Sequence, residues 1–149
     1  MGLGIIIRDD EGRMEEALSK KIFAPLGAIE AEAKAFEVGL LFAKDIGIQE
    51  FILAGDSLIV QRALYETSLP PSSAEPVIMG MHALSKDFCR VDYSHVCRQG
   101  NRPAYLLFKY ALGTVISPCG LKRILASLSK LLSMIYFPFR IINKISIFI

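Results

Sequence analysis

Two carboxylates stand where this chain's pattern can bring them together. Asp56 follows the apolar run Gln49–Ala54, which reads as a short buried strand, and Gly55-Asp56-Ser57 turns that strand into a helix. The crevice beyond the carboxyl ends of strands is where open α/β sheets hold ligands. Glu32 lies on a long helix, on or beside the face that packs against the sheet. A pair of carboxylates brought to one crevice suits Mg²⁺, which takes few carboxylates and completes its shell with substrate phosphate oxygens. Each residue also has a plainer role open to it. Asp before Ser at a helix start is a frequent cap, and Glu32 sits in the charged run EAEAKAFE, where a solvated face is common. His95 is a candidate general base or an ordinary strand-end histidine. Ser57 has no His and Asp companions at a spacing that suggests a hydrolase triad. The opening Gly2-Leu3-Gly4 precedes its strand and is not followed by a helix, which excludes a phosphate-binding loop.

The elements that must position these residues follow from periodicity. Gly2 to Arg8 is an Ile-rich run, Asp9-Asp10-Glu11-Gly12 a polar turn, and Arg13 to Ile22 a returning strand, so the chain opens as a hairpin. Ile29, Ala33, Phe36, Leu40 and Ala43 recur at helical spacing from Ala28 to about Ile46, with Gly47 as the stop. A helix follows Ser57 to about Tyr65, and Thr67 to Pro76, rich in proline and serine, is a loop. A third helix is predicted over Ala74 to Asp87, weakened by Gly80. A strand is predicted over Cys89 to Val96 with Val91, Tyr93 and His95 on one side, and a last helix over Pro103 to Leu112, opened by its proline. Strands alternating with helices after a hairpin predict an α/β sheet flanked by helices.

Composition divides the chain at Gly113. All 15 acidic residues lie before it with 12 of the 17 basic ones, so the body carries −3 and the remaining stretch +5. The basic balance therefore belongs to the tail and does not mark the body as a nucleic-acid binder. With 52% hydrophobic residues the chain is not a disordered one. Cys89, Cys97 and Cys119 are an odd number without zinc spacing, which points to a reducing compartment and buried or idle thiols. Leu3 to Ile7 is too short for a signal peptide, and Ile6 occupies the position where a myristoylation signal has Ser or Thr. A nuclear or cytoplasmic location is expected rather than secretion.

Residues 114–149 are apolar as well as basic. Ile124, Leu128, Leu131, Leu132 and Ile135 suggest an amphipathic helix up to Pro138. Arg140 and Lys144 interrupt the best membrane-spanning window, where about 20 mostly apolar residues are needed. A partner-facing or non-native segment is expected ahead of either membrane spanning or interfacial binding.

Three segments in order, GLGIIIRDDEGR, APLGAIEAEAKAFEVGLLFAKDIGIQEFILAGDSLIVQRAL and YSHVCRQGNRPAYLLFKYA, carry a family resemblance. They resemble the ribonuclease H-like domain of plant proteins, the type-1 domain found in retroelement-derived reverse-transcriptase contexts. The similarity runs from Gly2 to about Ala111, so the chain divides into a ribonuclease H-like domain (1–113) and a divergent tail (114–149). The resemblance implies a five-stranded mixed sheet flanked by helices. It also implies cleavage of the RNA strand of an RNA–DNA hybrid by two Mg²⁺ ions on four acidic residues.

Carried over by position, the family's helix Glu matches Glu32, because Ala35 and Gly39 then fall on its small positions; Glu30 is the less suitable register. The strand-end Asp-Ser matches Asp56-Ser57. The final acidic position follows an Arg-x-x-Asn-x-x-Ala pattern, here Arg98, Asn101 and Ala104, and its Asp is replaced by Tyr105, whose phenol is neutral at pH 7. Ser57, Arg98, Asn101 and Arg102 are the candidate nucleic-acid contacts, and Glu32 and Asp56 the catalytic and metal-binding ones. The family's first Asp lies on a central strand ahead of the hairpin, where this chain begins, and Asp9 and Asp10 lie at the far end of the next strand. The expectations are a weak Mg²⁺ site, impaired cleavage, and a sheet with a gap between the hairpin and the Gln49–Ala54 strand that leaves the chain unstable. The alternatives are an active hybrid ribonuclease in a longer native chain, or a non-enzymatic protein that uses the tail for a partner or membrane surface.

Overall fold

The computed structural model describes residues 2–97, Gln99 and residues 145–149. Its elements in chain order are β1 (Gly2–Arg8), β2 (Met14–Lys21), α1 (Ala28–Asp45), β3 (Glu50–Gly55), α2 (Leu58–Leu64), α3 (Glu75–Ser85), β4 (Arg90–His95) and β5 (Ile145–Phe148). The first seven follow the periodicity of the sequence to within a few residues. Gly47 ends α1 as its position requires, with φ of +80°, a conformation that glycine adopts without a side-chain clash. The helix over Pro103 to Leu112 and the amphipathic helix of the tail lie outside the described residues.

The sheet has five strands in the order β2-β1-β5-β3-β4. β1 pairs antiparallel with β2, β3 pairs parallel with β4, and β5 joins the two halves. It runs antiparallel to β1, with Ile7 opposite Ile147, and parallel to β3, with Leu53 opposite Ile147. This corrects the expected gap. No strand precedes the hairpin among the described residues, yet the place between hairpin and β3 is filled, by a segment assigned from sequence to a separate tail. The reason is the unmet hydrogen bonding of two facing strand edges, which any extended segment with the right side-chain alternation can satisfy.

Side-chain alternation gives the sheet its core face. Ile7, Ile147, Leu53 and Tyr93 stand in one row across four strands, all buried. α1 lies over this face with Ala33, Phe36, Leu40 and Ala43, and Val60, Ala63, Leu64, Ile78 and Met81 of α2 and α3 extend the same cluster. Every residue of β1 is buried, so it reads as a continuous apolar run rather than an alternating one. Arg8 ends that run, and desolvation pushes its guanidinium down to about 10.

Close approach of α1 to the sheet depends on small residues. A Cβ on Gly55 would sit 2.6 Å from the Phe36 ring and 3.2 Å from Cγ1 of Ile149. A Cβ on Gly39 would meet Leu53 at 2.9 Å and Ile149 at 3.3 Å. Ile149 thus packs where α1 and the end of β3 come closest.

The hairpin turn is held by Asp9. Its Oδ1 accepts the backbone N–H of Glu11 at 3.0 Å and of Arg13 at 2.7 Å, and its Oδ2 pairs with Nε of Arg13 at 2.8 Å. Desolvation opposes ionisation of Asp9, but the hydrogen bonds and charge of Arg13, with the Glu11 N–H, outweigh it and hold the carboxyl below its ordinary value. Beyond the turn, β2 carries one extra residue, Glu15, because Ile7 pairs with Glu16 and Arg8 with Met14.

Three outcomes are expected. Leu53→Ala should lower unfolding free energy by about 2–5 kcal/mol in urea denaturation, from lost burial and the cavity left behind. Gly55→Ala should lower it by about 1–3 kcal/mol, because the added methyl overlaps the Phe36 ring. For Asp9, the folded carboxyl titrates below the unfolded one, so its contribution is full above roughly pH 4 and is lost as pH falls through the folded value. An NMR titration should place the Asp9 carboxyl below its ordinary value, and Arg13→Ala should return it upward.

Candidate nucleic-acid and metal site

α1 begins beside the loop after the hairpin, with Gly27 as its N-cap. Glycine offers no capping side chain, and Glu30 supplies the missing half of the cap by accepting the Gly27 N–H at 2.8 Å. That engagement separates the two glutamates considered from sequence. Glu30 closes the helix start, while Glu32, two residues on and on another side of the helix, is directed to Ser57.

Ser57 is the junction of the site. It caps α2 with extended backbone angles, and its Oγ accepts the N–H of Val60 at 3.4 Å. The same hydroxyl donates to Oε2 of Glu32 at 2.6 Å. A buried hydroxyl (5% exposed) therefore ties a half-buried carboxylate on α1 to the start of α2. A bond this short to a carboxylate is of the charge-assisted kind. Asp56, the preceding residue, is exposed at the end of β3. The structure thus brings Glu32 to the Asp56-Ser57 turn. Ser57, assigned from sequence to nucleic-acid contact, instead spends its hydroxyl on Glu32 and the helix cap.

His95 stands opposite Gly55 in the β3–β4 register, at the same end of the sheet, and is exposed. Among the described residues, no three His, Cys, Asp or Glu side chains converge in a way that could hold a metal ion. Glu32 and Asp56 are the two carboxylates that the described residues bring to this end of the sheet, and carboxylate oxygens are the ligand type that Mg²⁺ takes. Arg98, Asn101, Arg102 and Tyr105 lie outside the described residues. Cys89 and Cys97 are free and exposed, so these two are not buried thiols.

One supporting device had no sequence signal. The Tyr65 hydroxyl accepts the Tyr93 N–H at 3.0 Å and donates to the Tyr93 carbonyl at 2.8 Å, satisfying both main-chain groups of one residue on edge strand β4. The two rings meet edge to face at 5.8 Å, and the Tyr93 hydroxyl bonds to Ser85 at 2.5 Å. Burial pushes the Tyr93 phenol up. Two tyrosines 28 residues apart carry no motif, and only the fold reveals the bridge. Through it, β4, α2 and α3 are fixed to one another behind the Asp56-Ser57 turn.

Among the described residues, no helix is long and apolar enough to cross a membrane. Residues 1–111 match the family described as reverse transcriptase-like. No curated protein matches the chain. Among solved structures, the chain is similar to ribonuclease H1 from the halophilic archaeon Halobacterium salinarum NRC-1. That match has a TM-score of 0.71 and 23% identity, over 76% of this chain and 86% of the other. At that identity the likeness is one of fold, and it agrees with the mixed sheet and the helices upon it. The matched span covers the hairpin, α1 with Glu32 and the Asp56-Ser57 turn, and the chain belongs to the reverse transcriptase-like family, with a ribonuclease H-like fold.

Proposed function

We propose that this chain is a nucleic-acid-binding ribonuclease H-like domain that engages RNA–DNA hybrids and cleaves them weakly or not at all. The observation that carries the reading is the Ser57–Glu32 hydrogen bond, which draws two carboxylate-bearing elements to one end of the sheet. The fold family points to a hybrid as ligand, and the site supplies two of the four carboxylates that ribonuclease H-like chemistry implies.

The impairment is argued from what stands at the other two positions. Tyr105 offers a neutral phenol in place of one carboxylate. The other belongs to the central strand that the resemblance places ahead of the hairpin. β5 occupies that place in the sheet, and Ile145-Ser146-Ile147-Phe148 with Ile149 brings no acidic side chain. The tail thus completes the sheet without completing the site.

Mg²⁺, when bound, would activate water and stabilise the leaving oxygen of an in-line displacement at phosphorus. The chain's own contributions are then limited. Glu32, fixed by Ser57, presents its remaining oxygen lone pairs to a cation or water. Asp56 adds a second, more exposed carboxylate, and Arg98, Asn101 and Arg102 are placed by the resemblance to touch phosphate, which orients a duplex without reading its sequence. With only two carboxylates to hold cations, less positive charge would be available to offset the negative charge that develops on the phosphoryl oxygens, and binding outlasts chemistry.

A labelled RNA–DNA hybrid incubated with Mg²⁺ or Mn²⁺ should be bound and barely cut. Any residual cleavage should disappear in Asp56→Asn and in Glu32→Gln. Robust cleavage that survives Asp56→Asn would overturn the site assignment, and absence of hybrid binding would overturn the ligand class. Ser57→Ala should weaken metal affinity by roughly tenfold, the scale of losing a residue that orients a ligand. Ser57→Thr, which keeps the hydroxyl, should restore most of it in a Mn²⁺ titration.

A further inference from the structure

We propose that the slot between β1 and β3 is a strand-accepting site, filled in this chain by residues 145–149 and able to take the same segment presented in trans. The inference is independent of the roles given to Glu32 and Asp56.

Three observations support it. The segment pairs along both of its edges, with Ile6, Ile7 and Arg8 of β1 on one side and Phe51 to Ala54 of β3 on the other. The Ile149 N–H continues that ladder by donating to the Ala54 carbonyl at 3.0 Å. The slot also selects side chains. Ile147 is fully buried in the row between Ile7 and Leu53, and Ile149 is buried against Gly39 and Gly55, where an added Cβ would press on it at 3.3 and 3.2 Å. Main-chain pairing supplying affinity and alternate side-chain seats supplying specificity are the two parts of strand addition to a sheet edge.

The third observation is connectivity. β4 ends at His95 and β5 begins at Ile145, so neither partner of β5 is its neighbour in sequence. Its register is matched to β1 on one side and to β3 on the other. An unlinked strand of the same sequence offers the same main-chain pairing and the same side chains, and therefore competes for the same seat. The occupant is an extended apolar segment running antiparallel to β1 and parallel to β3, with branched aliphatic residues at alternate positions.

The register gives the first test. In the full chain with Cys89, Cys97 and Cys119 changed to Ser, Ile52→Cys and Ser146→Cys fall on directly paired positions, a separation that disulfides span. Mild oxidation at low protein concentration should link them within one chain. Ile52→Cys with Ile147→Cys, whose side chains point to opposite faces, should not link. Absence of the first link, or its formation only between chains, would overturn the seat.

The second test uses Ser146→Pro in the full chain, since proline removes a ladder donor from an interior strand. Its melting temperature should fall by roughly 10 °C, from the scale of proline disruption and of melting shifts in chains this long. A fluorescein-labelled peptide of residues 143–149, with added N-terminal lysines for solubility, should bind this variant saturably in fluorescence anisotropy. It should bind the unaltered chain at least about tenfold more weakly, because there the seat is taken. Should the variant be unfolded, the peptide should restore its circular dichroism. Equal binding to both chains, binding to neither, or no restoration of an unfolded variant would refute acceptance in trans.

Discussion

Backbone pairing of β5 on both of its edges is the constraint on which the remaining structure rests. β1 and β3 do not touch as strands; each meets β5. Without an occupant between them, the hairpin on one side and the β3–β4 pair on the other would present rows of unpaired N–H and C=O groups to each other. Those groups would have to find water or another chain. With the occupant, Ile7, Ile147, Leu53 and Tyr93 form one buried row and α1 has a continuous floor to lie upon.

Site geometry inherits this arrangement. Glu32 is carried by α1 and Asp56 by the end of β3, and their relation depends on how closely that helix approaches that strand. Gly39, Gly55, Phe36 and Ile149 set the approach at one point, and the Ser57–Glu32 hydrogen bond sets it at another. Behind them the Tyr65 bridge fixes β4 to the helix that Ser57 caps. The two carboxylates are therefore held by a framework that packing completes. Packing needs volume and alternation, whereas metal chemistry needs particular charged groups at particular points, so fold and chemistry are separate demands on one sequence.

The charge division acquires a structural meaning here. The tail is basic and apolar, and from sequence it read as an appendage for a partner or a surface. Its last residues are instead interior strand, chosen for branched aliphatic side chains at alternate positions. The basic residues that raise the chain's isoelectric point precede that strand, and the acidic body that it completes keeps its own negative balance.

Much of this protein was legible in its sequence. Helical spacing of Ile29, Ala33, Phe36, Leu40 and Ala43 defined α1, alternation and turn residues defined the hairpin, and Gly55-Asp56-Ser57 marked a strand end turning into a helix, because local periodicity records which face of each element is buried. Three ordered segments were enough to indicate the ribonuclease H-like fold. What sequence left undecided were matters of long-range geometry. That Glu30 meets the Gly27 N–H while Glu32 meets Ser57, 25 residues away, was one of these. The Tyr65–Tyr93 bridge depends on elements that meet only in the folded chain. The filling of the central slot by Ile145–Phe148 depends on two facing strand edges that exist only once the rest of the sheet has formed. Local patterns state what an element is; which element satisfies another's backbone is decided by tertiary structure, since hydrogen-bond donors and acceptors of the main chain are the same in every sequence.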